Sequence, residues 1–162
     1  MNVFKNGYYG MHEGRLYRIG KRYETAAELC SEDREDLGNG FACSHSESFI
    51  RKYGFVCIKD VPKSELTEVY RIRTFAQYKD IKLYVYKANR DHTLILLCPQ
   101  LLSDFSEDDR RIRDKLTGMG FYVFETEKAG HTYAKNVPPD DPDMQLFQIR
   151  EKIDIDKLSY EF

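Results

Sequence analysis

The sequence predicts a mostly β chain made of two similar halves, with one helix inserted in the second. Three observations carry this. Landmarks recur in the same order: an LY pair, an apolar run ending in cysteine, an SED triplet and a Gly-Phe pair. Short runs rich in aromatic and β-branched residues follow one another at about ten-residue spacing, as in a sandwich or small barrel. A single segment, "SEDDRRIRDKLTGMG", carries the start and stop signals of a longer helix.

Taken in order, "GMHEGRLYRI" reads as a hairpin turning at His12 to Gly14, because apolar and polar residues alternate on either side of a glycine turn. "SEDREDLGNG" leaves room for one or two helical turns. "YGFVCIKDV" has strand composition. Pro62-Lys63-Ser64-Glu65 suits one helical turn, and "EVYRIRT" is again strand-like. A strand, one helical turn and a closing strand resemble the end of a five-stranded barrel of the Src-homology type. The inserted helix spans about 106–117, with Ser106 as N-cap, Asp109 at the capping-box position and Gly118 as its stop. Ile112 and Leu116 lie four apart and face the core.

The repeat can be written residue by residue. Leu16-Tyr17 matches Leu83-Tyr84, Ser31 returns at Ser106, and Gly40-Phe41 at Gly120-Phe121. "CIKDVP" (57–62) answers to "YAKNVP" (133–138), and "EVYRIR" (68–73) to "QLFQIR" (145–150). The order never breaks, which predicts an internal duplication. Residues 1–74 form the first β repeat and 75–162 the second, each a small barrel or meander, the two able to pack as one domain.

Bulk composition narrows the classes of function. Hydrophobic residues make up 41% and charged residues 32%, enough for a core. The formal net charge of −2 lacks the basic excess of proteins that hold nucleic acid by bulk electrostatics. No apolar run approaches the roughly 18 to 20 residues that span a bilayer. The start, "MNVFKNGYYG", lacks the basic and apolar regions of a secretory signal. A cytoplasmic protein is expected. Cys30, Cys43, Cys57 and Cys98 then remain reduced, and Cys30, Cys57 and Cys98, in strand-like apolar runs, act as small apolar side chains.

No catalytic constellation stands out. Cys43 and His45 sit close in sequence, but the paired short spacings of a zinc site and the context of an activated thiol are both missing. No metal, cofactor or catalytic residue is expected, and no enzyme. Carboxylates instead cluster: Glu32, Asp33, Glu35 and Asp36, then Asp104, Glu107, Asp108 and Asp109, then Asp140, Asp141 and Asp143. Acids in a first helical turn are stabilised by the helix dipole, and a negative patch can equally steer a basic partner. Arg110, Arg111, Arg113 and Lys115 make the inserted helix bipolar, fit for ion pairing or for a phosphate. Alternation puts Tyr84 and Tyr86 on one strand face with Lys82, opposite Ile81, Leu83 and Val85. Aromatics flanked by charge suit either a protein-binding surface or cross-strand pairing.

"YYGMHEGRLYRIGK" and "VPKSELTEVYRIRTFAQYKDIKLYVYK" resemble small bacterial proteins encoded beside secreted polymorphic toxins and held to be their immunity proteins, including those of contact-dependent growth inhibition systems. The resemblance runs from about Gly7 to about Ile153, and "NVPPDDPDMQLFQIRE" departs from it. It implies a non-enzymatic protein that neutralises a cognate toxin by covering its active site. For a nuclease toxin, acidic patches would meet the cations that hold its substrate. The residues expected at the partner are Glu32, Asp33, Glu35, Asp36, Asp104, Glu107, Asp108, Asp109, Tyr84 and Tyr86. The alternative is a tandem small-barrel module that binds peptide or nucleic acid through Tyr84, Tyr86 and Phe75.

Overall fold

The computed structural model of the chain describes residues 4–158. Antiparallel ladders run through all of its strands, so the chain is mostly β as the sequence predicts. It falls into two compact units. Among the described residues, one comprises Asn6–Arg73 and 150–158; the other comprises Thr74–Ile149 with Phe4 and Lys5.

In the first unit β1 (Gly7–His12), β2 (Arg15–Arg22), β3 (Ala26–Ser31) and β4 (Cys57–Pro62) form a meander. β1 also pairs with the first half of β5 (Val69–Tyr78), matching Tyr9 with Tyr70. The β1–β2 turn is the expected one: Glu13 and Gly14 both have positive φ, the backbone that matches strand twist in a two-residue hairpin. Alternation sends Tyr17 and Ile19 of β2 inward, onto Leu29, Val61 and Val69. Between β3 and β4 lie a 3-10 turn at Arg34–Asn39 and α1 (Glu47–Tyr53). α1 was not evident in "FACSHSESF", yet Ser46 N-caps it by accepting the Phe49 N–H at 3.2 Å.

In the second unit the end of β5 pairs with β6 (Ile81–Ala88), then β7 (Leu94–Leu97), β9 (Gly130–Val137) and β8 (Tyr122–Glu127). α2 (Glu107–Gly118) supplies Leu116, with Ile112 half-buried beside it, to a core of Leu83, Val85, Leu94, Leu96 and Phe121. Ser106 caps α2, accepting the Asp109 N–H at 3.3 Å. The box is not reciprocal, because the Asp109 carboxylate takes the Ser103 N–H at 2.8 Å instead. Nor is Gly118 the stop. It is the last helical residue, and the left-handed glycine is Gly120 (φ +88).

The units share local geometry. Gly40 (φ +87) precedes buried Phe41 as Gly120 precedes buried Phe121. Lys59 of β4 donates to the Asn39 carbonyl at 3.0 Å, and Lys135 of β9 to the Met119 carbonyl at 2.8 Å. The residues that open the two hairpin turns, Glu13 and Lys79, both have positive φ. The LY match is one residue out, however. Tyr17 pairs with Gly10 and is buried; the corresponding pair is Leu83 with Ala76, both buried, and Tyr84 faces water. A one-residue slip inverts every side chain of a strand, so identical letters occupy opposite faces.

The chain does not divide as 1–74 and 75–162. β10 (Met144–Ile153) pairs with β5, and its last residues belong to the first unit. Leu158 joins the core that holds Val61 and Leu66, and Ile153 and Ile155 pack against that core. No helix among the described residues is long and apolar enough to cross a membrane.

Candidate functional site

The first acidic cluster is split by burial. Glu32, Asp33 and Glu35 are exposed, while Asp36 is fully buried. Asp36 therefore cannot reach a partner, contrary to the sequence expectation. Its carboxylate accepts from the Ser31 hydroxyl, from Asn39 at 3.0 Å and from the Tyr17 hydroxyl at 3.1 Å, and it pairs with Arg15 at 2.9 Å. Burial alone would raise its pKa; the three hydrogen bonds and the Arg15 charge outweigh that and hold it below the ordinary carboxylate value. Asp33 N-caps the 3-10 turn through the Glu35 N–H and lies 3.5 Å from Arg15. This cluster mainly builds its own loop.

The second cluster sits around the loop 102–106 and α2. Leu102 and His131 exchange two backbone hydrogen bonds, at 2.9 and 2.8 Å. That approach needs Gly130: a Cβ there would lie 2.3 Å from the Leu102 carbonyl oxygen. The Asp104 carboxylate accepts from Arg113 at 2.6 Å and from His131 Nε2 at 2.9 Å, and its carbonyl accepts from Arg110 Nε at 3.0 Å. The His131 bond, with the Arg113 charge behind it, lowers the Asp104 pKa. The Phe105 N–H is taken up by the Ser103 hydroxyl at 3.1 Å. Polar groups thus hold every residue of the loop, and Phe105 projects with 92% of its surface exposed.

Thr126 Oγ1 lies 2.9 Å from His131 Nδ1, which completes a chain of hydroxyl, imidazole and carboxylate. That is the order of an acyl-transfer triad. Here Thr126 and Asp104 are both exposed at the surface, and Asp104 is also neutralised by Arg113. The geometry is that of a clamp on the loop. Glu107 and Asp108 differ from their neighbours: both are exposed, and neither side chain has a partner among the described residues.

Tyr84 and Tyr86 do share the outer face of β6, with Lys82. Tyr84 pairs across the strands with Phe75, ring centres 5.1 Å apart, and Phe147 of β10 stacks on Phe75 at 5.6 Å. Lys82 Nζ lies over both phenylalanines, at 4.7 and 5.4 Å. Phe75 is 7% exposed, so this cluster offers no free ring faces for stacked bases beyond the tyrosines. Tyr86 instead leans edge-on to Phe124 at 5.4 Å. Among the described residues no group of three or more His, Cys, Asp and Glu is placed to hold a metal ion.

Sequence reasoning missed Phe105, His131 and Arg113 as parts of one site. The local signal was "LLSDFSEDD", where a lone phenylalanine stands among polar residues after the apolar run has ended. Of ten exposed large hydrophobics among the described residues, seven belong to the second unit, including Tyr84, Tyr86, Leu101, Phe105 and Tyr122.

The fold is that of an antiparallel β protein, and its second unit exposes Phe105 together with Glu107 and Asp108. The chain belongs to the family described as Uncharacterised conserved protein UCP033725, whose model matches residues 4–105. The match ends at Phe105, ahead of α2. No curated protein and no solved structure matches the chain.

Proposed function

We infer that the chain is a non-enzymatic binding protein that neutralises a cognate secreted bacterial toxin, of nuclease type, in the cytoplasm by covering its active site. The identity of the partner rests on the resemblance of "YYGMHEGRLYRIGK" and "VPKSELTEVYRIRT" to toxin immunity proteins. The binding role rests on one observation above others: the concentration of exposed large apolar side chains on the second unit. Each such side chain left in water forgoes roughly 2 kcal/mol of burial, and exposed apolar patches commonly mark interaction surfaces. Glu107 and Asp108 add unpaired negative charge, which suits a cationic substrate cleft. The same reading takes the two units as products of an internal duplication, supported by the paired Gly-Phe steps and the lysines behind them.

The test is a growth assay and a binding assay with the toxin domain encoded beside this gene. The purified chain should bind it, restore growth of cells expressing it, and associate more slowly as salt rises. Turnover of a small molecule by the purified chain, or a failure to protect, would overturn the reading.

A further inference from the structure

We propose that Phe105 is the anchor of the partner surface, entering an apolar pocket on the toxin whose rim carries lysine or arginine. This rests on the binding role above and names the residue and the pocket chemistry. Phe105 is far more exposed than any other large hydrophobic described, at 92%; the next, Tyr53, stands at 60%. Its exposure does not come from a loose loop. Leu102 is bridged to His131, Ser103 is held by Asp109, and Asp104 is gripped by His131, Arg110 and Arg113. A side chain presented on a fixed backbone loses little freedom on docking, which is what makes an aromatic residue an efficient interface anchor.

The charge beside it selects the pocket. Asp104 and Asp109 are consumed within the loop, and Arg110 and Arg113 turn back onto Asp104. Glu107 and Asp108, two and three residues beyond Phe105, stay exposed and unpaired, while Arg111 follows on the helix after them. Two free carboxylates so near Phe105 in the chain repel phosphates and anionic lipid, and they attract a cationic rim.

The experiment measures the affinity of the full chain and its variants for the toxin domain encoded beside the gene. Phe105→Ala should raise Kd by about 30-fold or more, whereas Phe105→Trp should stay within about threefold. The double variant Glu107→Lys, Asp108→Lys should slow association by about tenfold at low salt, the difference shrinking as salt rises. Thermal melts of Phe105→Ala and Phe105→Trp should overlay that of the parent chain. The double lysine variant should melt slightly lower, because both acids sit in the first turn of α2, and its binding is therefore compared well below that melt. If the parent chain fails to bind, the binding role and the anchor fall together. If it binds and Phe105→Ala binds equally well, the anchor alone falls. If light scattering shows a dimer that Phe105→Ala dissociates, the pocket belongs to a second copy of this chain, and the toxin pocket is overturned.

Discussion

Arg15 and Asp36 meet at 2.9 Å across the boundary between water and core, the arginine half exposed and the aspartate not exposed at all. Asp36 gathers Ser31, Tyr17 and Asn39 as well, tying β2, β3 and the 3-10 turn to one carboxylate. Asp36→Ala leaves the buried Ser31 and Tyr17 hydroxyls without this acceptor. A loss of about 3 kcal/mol is expected in urea unfolding. A loss below about 1 kcal/mol would mean that the cluster is dispensable.

The same carboxylate sets a pH dependence. Its native pKa is depressed, so its contribution is complete above the pKa of the unfolded chain. It fades as pH falls below that ordinary carboxylate value and through the lower native one. Stability of the parent chain should therefore drop more steeply between about pH 5 and 2 than that of Asp36→Asn. Parallel curves would exclude Asp36 as the cause.

Gly130→Ala should be the most damaging glycine change. It forces a non-glycine residue to φ +151 and drives its Cβ to 2.3 Å from the Leu102 oxygen, which is backbone and cannot swing away. A cost of about 2 to 3 kcal/mol follows from strain alone. Amide exchange at Leu102 and His131 should accelerate with it; unchanged protection of these two amides would show that the bridge tolerates the methyl group.

Gly40→Ala and Gly120→Ala should each cost about 1 to 2 kcal/mol, through left-handed backbone. The nearest atoms belong to the tips of Lys59 and Lys135, which can move. The two losses should match, as read by thermal melting. A large cost at one and none at the other would mean that the two Gly-Phe steps are alike in shape but not in load.

Asp104→Asn should leave global stability nearly unchanged, since Asp104 is half exposed. It should speed amide exchange at Ser103 and Phe105 by releasing Arg113 and His131. Acidification should mimic it: the depressed Asp104 pKa keeps the clamp intact above the ordinary carboxylate range and releases it as pH falls through the native value. Exchange that ignores both changes would leave Phe105 held by the backbone bridge alone.

Local rules were legible in the sequence wherever neighbouring residues decided the outcome. The His12–Gly14 turn, the Ser106 cap, the turn at Lys63–Glu65 and the outward face of Lys82, Tyr84 and Tyr86 all follow from residues close in the chain. Distant contacts were not legible. Asp36 looks like any acid of "SEDRED" until Arg15 and Tyr17 arrive from another strand. The LY pairs look equivalent until strand register separates them, a difference that letters cannot carry. Phe105 has no assigned place in the sequence until Arg113 and His131 are seen holding its neighbour while the ring stays outside.

Residues 150–158 close the core that residues 6–73 open. During synthesis the early strands must wait for Leu158, and for Ile153 and Ile155 beside it, until some eighty later residues have left the ribosome. Severing the chain after Arg73 would therefore not yield an autonomous piece, and supplying Arg150–Leu158 as a separate peptide should restore order to it.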